Sequence, residues 1–185
     1  MRPQTLLVLL LLVAALASAQ RLRRDPLTEA EADHLREVAQ APEKRIKLII
    51  KFAQARLEAI EQLRGDPKMA EGRGKKIHDL LEDFTVIVDE LDDNVDMYAK
   101  RKDDISKSLG EVIIADGAFQ SRLQALRDAA QSDARNAQES KDYQYVLENA
   151  FEAVKSSEQD AQDLLREIAK AKQEAKNKGK EKSKD

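Results

Sequence analysis

The chain of 185 residues has no cysteine. It therefore does not rely on disulfides, and no thiolate is present to hold a metal. With only two histidines, zinc or haem chemistry also has few ligands to draw on. No Asn-x-Ser/Thr sequon occurs. No nucleophile elbow, phosphate loop or dinucleotide fingerprint is present, and no strand-length alternation marks a hairpin. Gly72-Arg73-Gly74-Lys75 lacks the strand, the spacing and the hydroxyl residue of a phosphate loop. Beyond the first residues no apolar run approaches the length of a membrane span. These absences exclude most catalytic classes and leave no expected cofactor.

Compartment is written at the start of the chain. Arg2 precedes an apolar run from Thr5 to Ala17, and Ala17-Ser18-Ala19 supplies a small-x-small cleavage pattern. That pattern reads as a signal peptide over 1–19, with Gln20 as the expected mature N-terminus, the alternative being a retained anchor for which the run is short. The expected location is thus exported, periplasmic or extracellular. The lack of cysteine and sequons favours a bacterial envelope over a eukaryotic secretory route. The remaining chain carries 31 Lys and Arg against 35 Asp and Glu.

Residues 20–27 are basic and end in Asp25-Pro26, which reads as a flexible lead-in. A single helical-bundle domain is expected over 28–175, and a lysine-rich disordered tail over 176–185. Thr28 and Glu31 stand at capping-box spacing and open a short helix through about Gln40. Pro42 suits the first turn of the next helix, which carries Ile46, Ile50, Ala53, Leu57 and Ile60 on one stripe. Residues 65–74 (GDPKMAEGRG) hold three of the six glycines and are the clearest interruption.

From Ile77 the apolar spacing alternates steps of four and three. The seam runs Ile77, Leu81, Phe84, Val88, Leu91, Val95, Tyr98, Lys102, Ile105, Leu109, Val112, Asp116, Phe119, Leu123, Leu126 and Ala130. Only Lys102 and Asp116 interrupt it, and the phasing is that of a coiled coil. A second seam passes through Tyr143, Leu147, Ala150, Val154, Ser157, Ala161, Leu164, Ile168, Ala171 and Ala175. Its small residues allow close approach but bury less apolar area. Residues 75–137 fit one helix of roughly 95 Å or a hairpin near Ser108-Leu109-Gly110. Gly110 and Gly117 favour a break, whereas continuous phase across 109 favours one helix. The expected fold class is all-α: an elongated antiparallel helical bundle with coiled-coil-like packing. "EVIIAD" at 111–116 is the best strand candidate, yet it also suits a bundled helix.

The stretch "LEDFTVIVDELDDNVDM" at 81–97 has seven acidic side chains and no basic one. Most lie off the seam and read as the wetted face of a helix. Asp89, Asp92, Asp93 and Asp96 share a face, which costs a few tenths of a kcal/mol for each like-charged pair. A divalent ion, the lysines of the last helix or a basic partner would offset this. A hard-metal site needs about six converging oxygens, so only weak cation screening is expected. Glu31-x-x-His34 has di-iron spacing, but Lys75 stands where His78 would need its glutamate. Both histidines read as ordinary surface or boundary residues. Tyr143, Tyr145 and Phe151 read as a cap on the bundle end.

Residues 170–185 hold seven lysines against three acids. Such a tail keeps a chain soluble and can touch anionic envelope components. Export argues against a nucleic-acid role, and no aromatic residue accompanies the lysines to favour a membrane surface.

"PLTEAEADHLREVAQ" resembles the start of small periplasmic helical chaperones related to stress-response proteins, though Glu31 replaces their glutamine and the motif has no second copy. "RIKLIIKFAQARLEAIEQL" and "YQYVLENAFEAVKSSEQDAQDLL" resemble uncharacterised exported all-helical proteins of soil bacteria. That resemblance implies a helical fold and brings no site residues. The functional expectation is an exported, non-enzymatic structural or protein-interaction protein of the bacterial envelope. The alternative is a periplasmic chaperone-like binder of unfolded or membrane-bound clients. Self-association is expected to cover whatever the chain leaves open along 77–130.

Overall fold

A computed structural model describes residues 25–182 apart from residue 133. The expected signal peptide, the lead-in at 20–24 and the last three residues of the tail lie outside the described residues. Among the described residues all regular structure is helical. Six α-helices pack against one another: α1 (Glu29–Glu37), α2 (Pro42–Gly65), α3 (Arg73–Lys100), α4 (Ser106–Ala130), α5 (Ala134–Ser140) and α6 (Gln144–Lys182). A 3₁₀ turn at Pro67–Met69 links α2 to α3.

Local chemistry sets the helix ends. Thr28 and Glu31 close a capping box at α1: the Thr28 N–H donates to Glu31 Oε2 at 2.8 Å and the Glu31 N–H to Thr28 Oγ1 at 3.3 Å. Pro42 opens α2, where its missing N–H leaves no orphan donor. Asp66 accepts from the Lys68 N–H at 2.9 Å and starts the 3₁₀ turn. Gly72, with φ of 65°, supplies the left-handed residue before α3.

The region 75–137 is not one helix: α3 ends at Lys100, α4 runs from Ser106 to Ala130, and α5 begins at Ala134. The chain reverses at residues 101–105, ahead of the expected Ser108–Gly110. Lys102 takes φ of 63°, and Asp104 Oδ1 accepts from the Ser106 N–H at 3.3 Å and the Ser106 hydroxyl at 2.7 Å. A short polar run, Arg101 to Asp104, thus does what the glycines were expected to do. Asp side chains stabilise turns by bonding the backbone two residues on. Gly110 and Gly117 lie inside α4 with open space where a Cβ would stand. "EVIIAD" is helical as well.

Four long helices close around the core. α2 packs on α3, α4 on α6, α3 on α6 and α2 on α4. Arg45, early in α2, bonds Asn94, late in α3, at 2.6 Å. Arg122 lies 3.4 Å from Glu61, with both residues late in α4 and α2, and Arg127 lies 3.6 Å from Glu148 at the start of α6. At the centre the Phe84 and Phe119 rings meet edge-on, 5.3 Å between centroids. Ile77, Leu81, Phe84, Val88, Leu91, Val95, Tyr98, Leu109, Val112, Phe119, Leu123 and Leu126 are all buried, as are Leu147 and Val154. Each large side chain so buried contributes about 1.5–3 kcal/mol. Along 77–130 the only exposed seam position is Lys102, at the turn. The chain itself therefore buries the seam along 77–130, and leaves only Lys102 of it open.

Two expectations, the lead-in and the tail, need correction at the edges. Residues 25–27 are held rather than loose: Arg56 donates to the Pro26 carbonyl at 2.6 Å, and Leu27 packs against the core. The last helix starts at Gln144, after the separate α5, which Arg73 ties to α3 through Glu139 at 2.8 Å. Helix α6 also continues to Lys182, so the tail is helical well past 176. Its Lys, Glu and Ala are strong helix formers.

The glycines separate cleanly by environment. A Cβ on Gly74 would stand 2.8 Å from the Glu139 carbonyl oxygen and 2.5 Å from Asp142 Oδ2. Gly74→Ala is therefore expected to lower the thermal midpoint. Gly117→Ala is expected to raise stability by up to about 1 kcal/mol through helix propensity. Paired thermal melts check both, and a stabilised Gly74→Ala would contradict the α3–α5 packing.

Candidate functional site

Among the described residues the buried polar side chains are Asn94, Ser108, Asp116 and Ser157. Asn94 is fully served. Its Oδ1 accepts from Arg45 Nε at 2.6 Å, and its Nδ2 donates to the Glu90 carbonyl and carboxylate at 2.7 and 2.8 Å. Arg45 also donates to the Leu35 carbonyl at 2.8 Å, joining α1, α2 and α3. Buried polar groups normally find such partners.

Asp116 does not. It sits at a seam position of α4 between Val112 and Phe119, is fully buried, and has no hydrogen-bond partner at either carboxylate oxygen. Across the core from it are Asp92 of α3 and Ser157 of α6. The Ser157 hydroxyl faces both carboxyls, and its proton goes to Asp92 Oδ1 at 2.7 Å. Burial pushes the Asp116 carboxyl up to about 7, the Ser157 hydroxyl opposes this, and Asp92 and Glu158 add to it. Burial likewise raises Asp92 to about 6, against Ser157 and with help from Asp160, Asp89 and Asp96. Two neighbouring carboxyls held this far from solvent resist simultaneous ionisation.

Asp92 opens onto a groove of about 400 Å³ between α3 and α6. Val95, Val112 and Ala161 line its apolar part. Asp93 and Asp96 come from α3, and Asp160, Asp163 and Glu167 from α6; no lysine or arginine lines it. Lys100 reaches Asp96 at 3.5 Å and Arg166 pairs with Asp163, each from the same helix and in exposed positions. The arrangement attracts cationic groups. It does not form a converging metal cage: among the described residues, three ligating atoms mutually within 4.8 Å occur only at His78, Asp79 and Glu82. Those three lie along one helix, with His78 Nδ1 3.5 Å from Asp79 and 3.8 Å from Glu82.

The acidic stretch thus divides. Asp93 and Asp96 do face water, but Glu90 serves Arg45 and Asp92 turns inward. The last helix was one expected source of counter-charge for this face. It instead brings Asp160, Asp163 and Glu167 to the groove, and Lys172 pairs with Asp104 at 3.2 Å. Glu31, the di-iron candidate, is held by Arg56 at 2.6 Å. That bond depresses its carboxyl to about 2, against the opposing effect of burial. His34 is exposed. Tyr143 is buried and Tyr145 exposed, while Phe151 is half-buried beneath the Arg127 guanidinium, 3.9 Å above its ring. A larger hollow of about 810 Å³ lies between residues 25–28, α2 and α3. Its rim arginine, Arg56, is already committed to Glu31 and Pro26.

Sequence reasoning named Asp116 only as a seam break and missed its pairing with Asp92 and Ser157. The available signal was two polar residues, 116 and 157, at seam positions of helices that face each other. No family model, curated protein or solved structure matches the chain.

The pH dependence has a definite sign. A carboxyl whose folded value lies above its unfolded 3.8 supports folding fully below that value, and the support is lost as pH rises through about 7 for Asp116. Asp116→Asn is therefore expected to raise stability at pH 8, by on the order of 1–3 kcal/mol. At pH 4, where Asp116 already carries its proton, it is expected to change little. Denaturant unfolding across this range checks it; an equal effect at both ends would contradict the buried-carboxyl assignment.

Proposed function

We propose that the chain is an exported, non-enzymatic helical protein of the bacterial envelope that acts as a structural or protein-interaction element. On this reading the fold is an elongated antiparallel bundle with coiled-coil-like packing. The 3,4 spacing supports it, as does the pairing of early α2 with late α3 and of late α4 with early α6. Export rests on Arg2, the apolar run from Thr5 to Ala17 and the Ala17-Ser18-Ala19 site. No described helix is long and apolar enough to cross a membrane.

One observation favours this reading over a chaperone-like binder. The apolar seam along 77–130 is used inside the chain, and the exposed large hydrophobics among the described residues are Met97, Ile114 and Tyr145, from three different helices. A client-binding cradle needs a contiguous apolar patch of several hundred Å². The polar exterior, with its acid-lined groove and lysine-rich end, suits charged protein contacts instead, and the lysines also suit anionic envelope components.

Two measurements test the reading. Expressed with its first 19 residues in a Gram-negative host, the chain is expected in the periplasm with Gln20 at its N-terminus. In a light-scattering assay with a chemically unfolded client, it is expected to leave aggregation unchanged at equimolar ratio. Strong suppression would transfer support to the chaperone-like alternative.

A further inference from the structure

The bundle leaves the far end of one helix uncovered. α6 runs beside α3, and Lys172 of α6 reaches Asp104 in the turn where α3 ends. From residue 173 α6 therefore projects past the bundle, by about 15 Å to Lys182 at 1.5 Å per residue. The second seam goes with it: Ser157 and Ala161 are buried, Leu164, Leu165 and Ile168 are half-buried, and Ala171 and Ala175 are exposed. Helix α6 thus offers an unfinished apolar stripe with small residues that permit close helix approach.

Charge is sorted along the same helix. Residues 144–167 hold six acids against two bases, whereas 170–185 hold seven lysines against three acids. The acidic half forms one wall of the groove over Asp92. At the groove floor there is no internal cation: Asp92 has the Ser157 hydroxyl, and Asp116 behind it has no donor at either oxygen. A second α6 laid alongside in the opposite direction would set each lysine-rich end against the other's acidic half. A two-fold arrangement makes that contact twice.

We propose that the chain forms a two-fold dimer in which the projecting end of α6 packs on the half-covered Leu164–Ile168 stripe of a second copy and sets its lysines in that copy's acidic groove. The core seam at 77–130 takes no part, since it is closed within each chain. The groove carboxylates at Asp93, Asp160 and Glu167 receive the lysines, and Ala171 and Ala175 permit the close approach. Because ion pairs at an exposed interface are screened, association weakens with salt. The inference rests on a binding role for the chain but fails separately from it: a persistent monomer removes the dimer and leaves other partners open.

Sedimentation equilibrium of the chain from Gln20, at about 0.01 M and about 1 M salt, tests the proposal. A dimer is expected at micromolar concentration in low salt, with dissociation at least tenfold stronger in high salt. Lys176→Glu, Lys178→Glu and Lys180→Glu together are expected to give a monomer with unchanged melting, since these positions lie beyond the bundle. Asp93→Lys, Asp160→Lys and Glu167→Lys together are expected to do the same, and mixing the two variants is expected to restore a one-to-one dimer. A monomer in low salt would overturn the proposal, as would a dimer indifferent to the lysine reversal. A monomer that still takes up polylysine would overturn it too, assigning the groove to a different cationic partner.

Discussion

The fold depends on one constraint: an apolar position every three or four residues from Ile77 to Ala130 must leave water, and the chain meets it by folding back on itself. A single helix would carry Phe84 and Phe119 about 52 Å apart. The turn at 101–105 brings their rings to 5.3 Å and lets α2 and α6 cover the flanks. Everything else in the described structure is arranged around that closure. Arg45, Arg56 and Arg73 tie the smaller pieces to it through buried or half-buried bonds.

The same closure creates the chemistry. Asp116 stands at a seam position, so packing the seam forces a carboxyl into the core, where the unpaired charged form is costly. Asp92 is drawn in beside it by Ser157. The surrounding carboxylates of α3 and α6 then make the local potential more negative and attract any cation that approaches. An acidic groove with an unpaired carboxyl, Asp116, behind its floor is thus a by-product of where two polar residues interrupt two apolar seams. Natural cores that keep such a residue lose stability, which directs attention to what the groove meets.

Much of the architecture was legible. Thr28 with Glu31, Pro42 and the glycine-rich link at 65–74 set the early helix boundaries, and the core buries the first seam from Ile77 to Ala130 apart from Lys102, while the second seam is buried only as far as Ala161. The reversal was misplaced because two glycines seemed the natural breakpoint. In α4 they face open space and cost only propensity, while Lys102 tolerates the left-handed turn that Asp104 then stabilises. Unbroken phase across the reversal hid it further, since both helices happen to present the seam inward. The pairing of Asp92, Asp116 and Ser157 was not legible because it joins three helices whose neighbours no periodicity specifies. The projecting end of α6 was likewise invisible: its length beyond the bundle depends on where α3 stops.

The most direct test of this account is a nuclear Overhauser measurement between the Phe84 and Phe119 ring protons, with mixed isotope labelling to isolate contacts within one chain. The account expects a strong intrachain signal at every protein concentration. A signal found only between differently labelled chains, or none, would mean that α3 and α4 do not fold back on each other and would contradict it.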